Sequence, residues 1–150
     1  MSDGLFLADD AATIAAGARL GATLAIGDVV ALHGDLGAGK TTFARGVLGA
    51  LGLRGEAPSP TFAIVQPYAP PETAIGVWHI DLYRLDSGGE VEELGLDDAR
   101  GEAALIIEWP ERMGSRLWPD ALHLSFTREG NGRRLTWQPP ASWGPRWPCT

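Results

Sequence analysis

Apolar and polar positions follow two different periods along this chain, and the places where the period changes mark its elements. Val29-Val30-Ala31-Leu32-His33 is a short, apolar and β-branched run, which predicts a strand. After a glycine-rich break, Phe43, Val47, Leu48 and Leu51 recur at the spacing of one helical face, and Gly52 follows as a stop. Upstream, Asp9-Asp10 are placed to cap a helix running to about Ala25, with Ala11, Ile14, Ala15, Ala18 and Leu24 as its apolar stripe. Gly17 and Gly21 weaken that helix, so tertiary packing must hold it.

Downstream the pattern turns to strands. Glu56 to Thr61, with Pro58 and Pro60, predicts an exposed loop; Phe62 to Tyr68 and Ile75 to Tyr83 predict strands around a Pro70-Pro71 turn, a hairpin suited to a sheet edge. Ser87-Gly88-Gly89 opens an acidic segment, Glu90 to Arg100, expected to be helical in part. Ala103 to Ile107 is a continuous apolar run, as in a strand buried on both faces. Leu122 to Phe126 and Leu135 to Trp137 predict two more short strands. Residues 139–150 hold four prolines and no periodicity, so a loosely ordered tail is expected behind a domain spanning 1–138.

Composition narrows the class. With 150 residues, 45% of them apolar, the chain is long enough for one core without disulfide or metal staples. Cys149 is the single cysteine and has no internal partner. No run approaches the ~18 apolar residues of a membrane span, and Met1-Ser2-Asp3-Gly4 lacks a basic secretory start, so a cytoplasmic protein is expected. The formal net charge of −7 argues against unaided nucleic-acid binding, because phosphate backbones are gripped by clustered cations. Any nucleic-acid substrate is expected to be held by a partner.

The chemistry concentrates at the one lysine, Lys40, in a chain whose other strong cations are all arginine. It stands in Gly34-Asp35-Leu36-Gly37-Ala38-Gly39-Lys40-Thr41, the spacing of a phosphate loop. Backbone N–H groups there can cradle phosphates, a compact ammonium can reach the β- and γ-phosphates, and the Thr41 hydroxyl can ligate Mg²⁺. Thr42 is suited to supporting the loop or an α-phosphate. A chance glycine turn would not sit between a strand and an amphipathic helix, so Asp35 to Thr42 are read as a binding segment for a nucleoside triphosphate. Such a site needs a carboxylate at a neighbouring strand end. Glu108, closing Ala104-Leu105-Ile106-Ile107, is the favoured metal-side acid; Asp81, after Val77-Trp78-His79-Ile80, is read as handling the attacking water or supporting the metal, or else as a turn acid pairing with Arg84. Ser59-Pro60-Thr61 is either a plain turn or a switch whose Thr61 hydroxyl senses the γ-phosphate.

Four strings in order, Gly34 to Thr42, Ser59-Pro60-Thr61-Phe62, His79-Ile80-Asp81-Leu82-Tyr83-Arg84-Leu85 and Ile107-Glu108-Trp109-Pro110, resemble the TsaE (YjeE) family from about residue 9 to 135. The resemblance implies an α/β fold, a three-layer P-loop NTPase-like domain with a mixed, mainly parallel central sheet and antiparallel edge strands. It implies an ATPase that works with TsaB and TsaD in forming threonylcarbamoyladenosine at position 37 of tRNAs reading ANN codons, resetting that complex by ATP hydrolysis and touching tRNA only through it. Carried over by position, Lys40, Asp81, Glu108 and Thr61 are catalytic, Thr41 and Glu108 serve Mg²⁺, and Gly37, Ala38 and Gly39 join Thr42 on the phosphates of ATP. Trp109 would sit at the partner-sensitive edge of the site, Thr13 near the adenine, and Arg133 or Arg134, with Arg134 preferred, near the nucleotide.

No glutamine or arginine finger stands out, which predicts slow hydrolysis by the isolated chain and stimulation by a partner. Lys40→Ala and Glu108→Ala are expected to abolish turnover with the fold intact. Two other functions are compatible with the phosphate loop: a small-molecule kinase, for which Arg112, Arg116 and Arg128 are thinly spread lid candidates, and a nucleotide-gated binding module in which hydrolysis is incidental.

Overall fold

The computed structural model describes residues 4–54, 65–85 and 91–147. The expected loop at 56–61 with Thr61, the start of the strand at Phe62, the Ser87-Gly88-Gly89 opening and Cys149 lie outside them.

Seven strands form one sheet in the order β1-β7-β6-β2-β5-β4-β3. They are β1 (Leu5–Leu7), β2 (Val29–His33), β3 (Val65–Tyr68), β4 (Val77–Asp81), β5 (Ala104–Glu108), β6 (Leu122–Glu129) and β7 (Gly132–Gln138). The β4, β5, β2 and β6 strands pair in parallel, while β3, β7 and β1 join antiparallel at the two sides. That is the expected α/β architecture, with the edge hairpin across Pro70-Pro71 as β3 and β4. Parallel pairing aligns the C-terminal ends of β2, β4 and β5, so residues 33, 81 and 108 end at one rim of the sheet.

Alternation along each central strand sends side chains to two apolar layers. Val30, Leu32, Ala104, Ile106, Leu122 and Leu124 face α1 (Asp10–Gly21) and α2 (Lys40–Ala50). Val29, Ile80, Leu105 and Ile107 face the other side, where α3 (Leu96–Arg100) supplies Leu96 and Ala99. Every residue of β5 is buried, as the continuous apolar run required. Each fully buried aliphatic side chain of these layers contributes about 1.5–3 kcal/mol.

The first helix buries a different face from the one its apolar residues suggest. Asp9 caps it, its carboxylate accepting from the Ala12 N–H at 2.8 Å, but the buried positions are Thr13, Ala16, Gly17, Leu20 and Gly21. Ala11 and Ala15 are exposed, and Ile14 is 44% exposed. Close approach decides this. A Cβ on Gly17 would come within 2.2 Å of the Phe43 carbonyl oxygen, and one on Gly46 within 2.2 Å of the Ile14 carbonyl oxygen. The glycines therefore form the contact surface between α1 and α2, and the helices gain dispersion contact from backbone packed on backbone. The α2 helix follows expectation, with Phe43, Val47 and Leu48 fully buried.

Three further differences have local causes. The β1 strand is too short to show a period and exists through its pairing with β7, Leu5 opposite Leu135. The β6–β7 hairpin runs past Phe126 through Thr127, Arg128, Glu129 and Gly132 to Arg134, beyond the apolar residues that announced it. The tail also packs: Trp143 and Trp147 are buried in the α1/α2 layer, and Arg146 pairs with Asp28 at 2.8 Å. Proline removed periodicity from that segment without removing its two aromatic anchors. Among the described residues no helix is long and apolar enough to cross a membrane.

Candidate nucleotide-binding site

The chain leaves β2 at His33, turns through residues 34–39 and enters α2 at Lys40. Gly39 precedes the helix at φ +111°, a left-handed conformation that a side chain would strain, and no side chain caps the first turn. The free N–H groups of that turn, with the positive end of the helix dipole, make an anion cradle. Inside the turn the Ala38 N–H donates to the Asp35 carbonyl at 3.1 Å. A cleft of about 410 Å³ opens over this segment, lined by Leu36, Gly37, Gly39, Lys40, Thr41 and Thr42, and on its far wall by Asp81, Glu108 and Trp109. Asp35 is exposed outside that lining and Ala38 is buried beneath the loop, so neither side chain lines the cleft.

Lys40 is only 4% exposed. Its ammonium donates to the Gly34 carbonyl and lies 3.6 Å from the centroid of the Trp109 ring, a cation–π contact. Burial pushes its pKa below the usual lysine range, against the pull of Glu108, Glu111, Asp81 and Asp35. Trp109 is held at φ +61°, a conformation uncommon for a bulky residue, and its ring packs 4.9 Å from that of Tyr83.

Beside the lysine, the Thr41 hydroxyl donates to the two Glu108 carboxylate oxygens at 3.1 and 3.0 Å. Glu108 is 3% exposed, and His79, fully buried on β4, holds its Oε2 at 2.6 Å from Nε2. Asp81 stands across the β4–β5 ladder from Glu108 and accepts from the Tyr83 N–H at 2.9 Å. Burial raises the Asp81 pKa; the Tyr83 hydrogen bond opposes this and the Glu108 carboxylate adds to it. A hydroxyl and a carboxylate meeting next to an anion cradle is a hard-oxygen donor set that fits Mg²⁺. Among the described residues no group of three or more His, Cys, Asp or Glu side chains is placed to hold a metal ion by itself.

The cleft takes Arg133 in place of Arg134. Arg133 lines it beside Gly39, where a Cβ would come within 2.5 Å of the Arg133 Nη1, and is anchored by Asp10 at 3.2 Å and by the Thr13 hydroxyl at 3.3 Å. Arg134, the neighbour in β7, points to the opposite face and pairs with Glu129 at 2.8 Å. Period-2 alternation separates the two guanidinium groups, and the register that decides between them is set by β6. Thr13 itself is fully buried, donates to the Asp9 carbonyl at 3.0 Å and does not line the cleft, so its contact with the site passes through Arg133.

The model of the family described as threonylcarbamoyl adenosine biosynthesis protein TsaE matches residues 7–135. The chain belongs to the TsaE family. A Streptomyces coelicolor member, tRNA threonylcarbamoyladenosine biosynthesis protein TsaE, is 41% identical over 113 residues, covering 75% of this chain and 76% of that protein. The TsaE protein of Mycobacterium tuberculosis is 38% identical over 142 residues, 88% of this chain and 82% of its own length. In three dimensions the crystal structure of YdiB from Bacillus subtilis superposes with a TM-score of 0.73 at 30% identity, over 90% of this chain and 83% of that one.

Within this TsaE fold, sequence reasoning missed two participants. Asp10 reads as half of a helix cap, yet Asp9 does the capping and Asp10 anchors Arg133. His79 reads as part of a motif string only; the signal for it was a histidine inside an apolar strand two positions before an acid. Thr61 lies outside the described residues.

Proposed function

We propose that this TsaE-family chain binds ATP with Mg²⁺ and hydrolyses it in the cytoplasm as part of forming the threonylcarbamoyl group on N6 of adenosine 37 in tRNAs that read ANN codons, working with TsaB and TsaD. The observation that carries the nucleotide reading is the convergence of the uncapped α2 N-terminus, Lys40, Thr41 and Glu108 on one cleft. The family match carries the tRNA reading.

In this mechanism the N–H groups around Gly37 to Thr42 hold the phosphate oxygens, and Lys40 leaves Gly34 and the Trp109 ring to reach the terminal phosphates. Thr41 and Glu108 would hold Mg²⁺, which when bound supplies Lewis-acid neutralisation of phosphate charge. Asp81, with its raised pKa, stands near enough to Glu108 to orient the attacking water. Arg133 reaches the loop from β7 and can meet charge on the nucleotide. Leu36, 60% exposed, and Tyr83, 41% exposed against Trp109, leave apolar surface at the mouth of the cleft, which favours completion of the site by a protein partner.

The decisive experiment measures ATP hydrolysis and tRNA modification in a reconstituted mixture with TsaB and TsaD. Lys40→Ala should lose both activities while its far-ultraviolet circular dichroism stays that of the parent. Undiminished hydrolysis by the variant would sink the reading.

A further inference from the structure

We propose that His79 is a positioning residue for the metal-side carboxylate, locking Glu108 in the orientation that sets its carboxylate against the Thr41 hydroxyl; this rests on the reading that Glu108 serves Mg²⁺. His79 is fully buried, and its Nε2 lies 2.6 Å from Glu108 Oε2. The Nδ1 is also buried and has no hydrogen-bond partner among the described residues. An ionised carboxylate oxygen only accepts, so Nε2–H is the donor in this contact.

A histidine kept only for packing would be a poor solution here. Its neighbours in the strand, Val77 and Ile80, are fully buried aliphatics, and an apolar residue at 79 would leave no polar nitrogen unpaired. What the imidazole adds is one directional contact to one oxygen of a side chain with three rotatable bonds. The Thr41 hydroxyl bridges both carboxylate oxygens from the other side, at 3.1 and 3.0 Å. Glu108 is thus gripped from β4 and from α2, two elements that do not share a chain neighbourhood. Hydrogen-bonded support of this kind around a ligating carboxylate is worth about 10–100-fold in metal affinity or activity.

The test is calorimetric binding of ATP, first in EDTA and then across a Mg²⁺ series, with the parent chain and His79→Leu, His79→Gln and His79→Asn. A glutamine amide reaches the position of Nε2; an asparagine amide reaches that of Nδ1 and stops short. For His79→Leu and His79→Asn, the Mg²⁺ concentration that gives half of the binding enhancement should rise about 10–100-fold, with ATP affinity in EDTA unchanged. His79→Gln should stay near the parent. Equal loss of ATP affinity with and without Mg²⁺ would mean a purely structural role and would overturn the proposal, as would an unchanged Mg²⁺ requirement. Should His79→Leu fail to fold, the contrast between Gln and Asn decides alone, and identical Mg²⁺ requirements for the two overturn it. If the parent itself binds ATP with no Mg²⁺ dependence, the assignment of Glu108 to the metal fails and the role of His79 goes with it.

Discussion

The two faces of the central sheet are packed with different materials. The face toward α3 is an aliphatic layer of Val29, Ile80, Leu105 and Ile107 closed by Leu96, Ala99 and Met113. The face toward α1 and α2 has its own aliphatic layer, but it also buries Thr13, Lys40, His79 and Glu108, each less than 5% exposed. Burying polar groups costs free energy unless each finds a partner, and a purely apolar layer would be at least as stable. The α1/α2 face thus gives up some stability to bury the polar groups of the candidate site, whereas the α3 face buries an aliphatic layer that holds the sheet together.

Adjacent residues of β5 can break that comparison most sharply, because Ile107 and Glu108 point to opposite faces. Ile107→Ala should lower unfolding free energy by about 2–5 kcal/mol, read by urea denaturation, with ATP affinity unchanged well below the transition. Glu108→Gln keeps the shape and should leave the urea midpoint close to the parent, yet reduce hydrolysis at least about 10²-fold. If Glu108→Gln is the less stable of the two, or Ile107→Ala the less active, the division of labour between the faces is wrong.

This asymmetry also explains which parts were legible in the sequence. Hydrophobic period reads an aliphatic layer well, so β2 and the buried β5 were evident, and the phosphate-loop motif added the start of α2. Period fails where glycine and alanine make the contact, and so the sequence pattern points to Ala11 and Ile14 as the buried face of α1 when Ala16, Gly17 and Leu20 form it. It fails again where a strand leaves the core: Arg128 to Arg134 carry no apolar alternation, yet they pair as strand, with Arg128 reaching the Leu36 carbonyl and Arg133 lining the cleft. The choice between Arg133 and Arg134 depended on a register that only strand pairing fixes, and the buried tail depended on two tryptophans with no repeat to announce them.

A middle-sized effect separates those two arginines. Arg133→Ala removes a cation that lines the cleft and should weaken ATP binding roughly tenfold to a hundredfold, the range for losing one charge-assisted contact. Arg134→Ala breaks a surface pair with Glu129 and should leave the urea midpoint close to that of the parent, with affinity unaltered. Titration calorimetry on the two single variants checks this. An equal loss in both would mean that β7 contributes long-range charge and no specific contact.

The smallest effect sits at the rim where the aliphatic face meets the phosphate loop. His33 ends β2 with its Nε2 2.8 Å from His123 Nδ1, and the two rings stack at 5.1 Å. Burial lowers the His33 pKa below 6.5, helped by the His123 and Lys40 charges and opposed by Glu111. The folded chain therefore resists a proton that the unfolded chain accepts at about 6.5. Stability carried by this group is complete above that pH and is lost as pH falls from there through the lower folded value. The melting temperature should accordingly fall more steeply between pH 7.5 and pH 5.5 in the parent than in His33→Gln, which cannot take up the proton. Parallel profiles for the two proteins would show that the imidazole pair is indifferent to acid, and that the aliphatic face ends without a titrating contact to the loop.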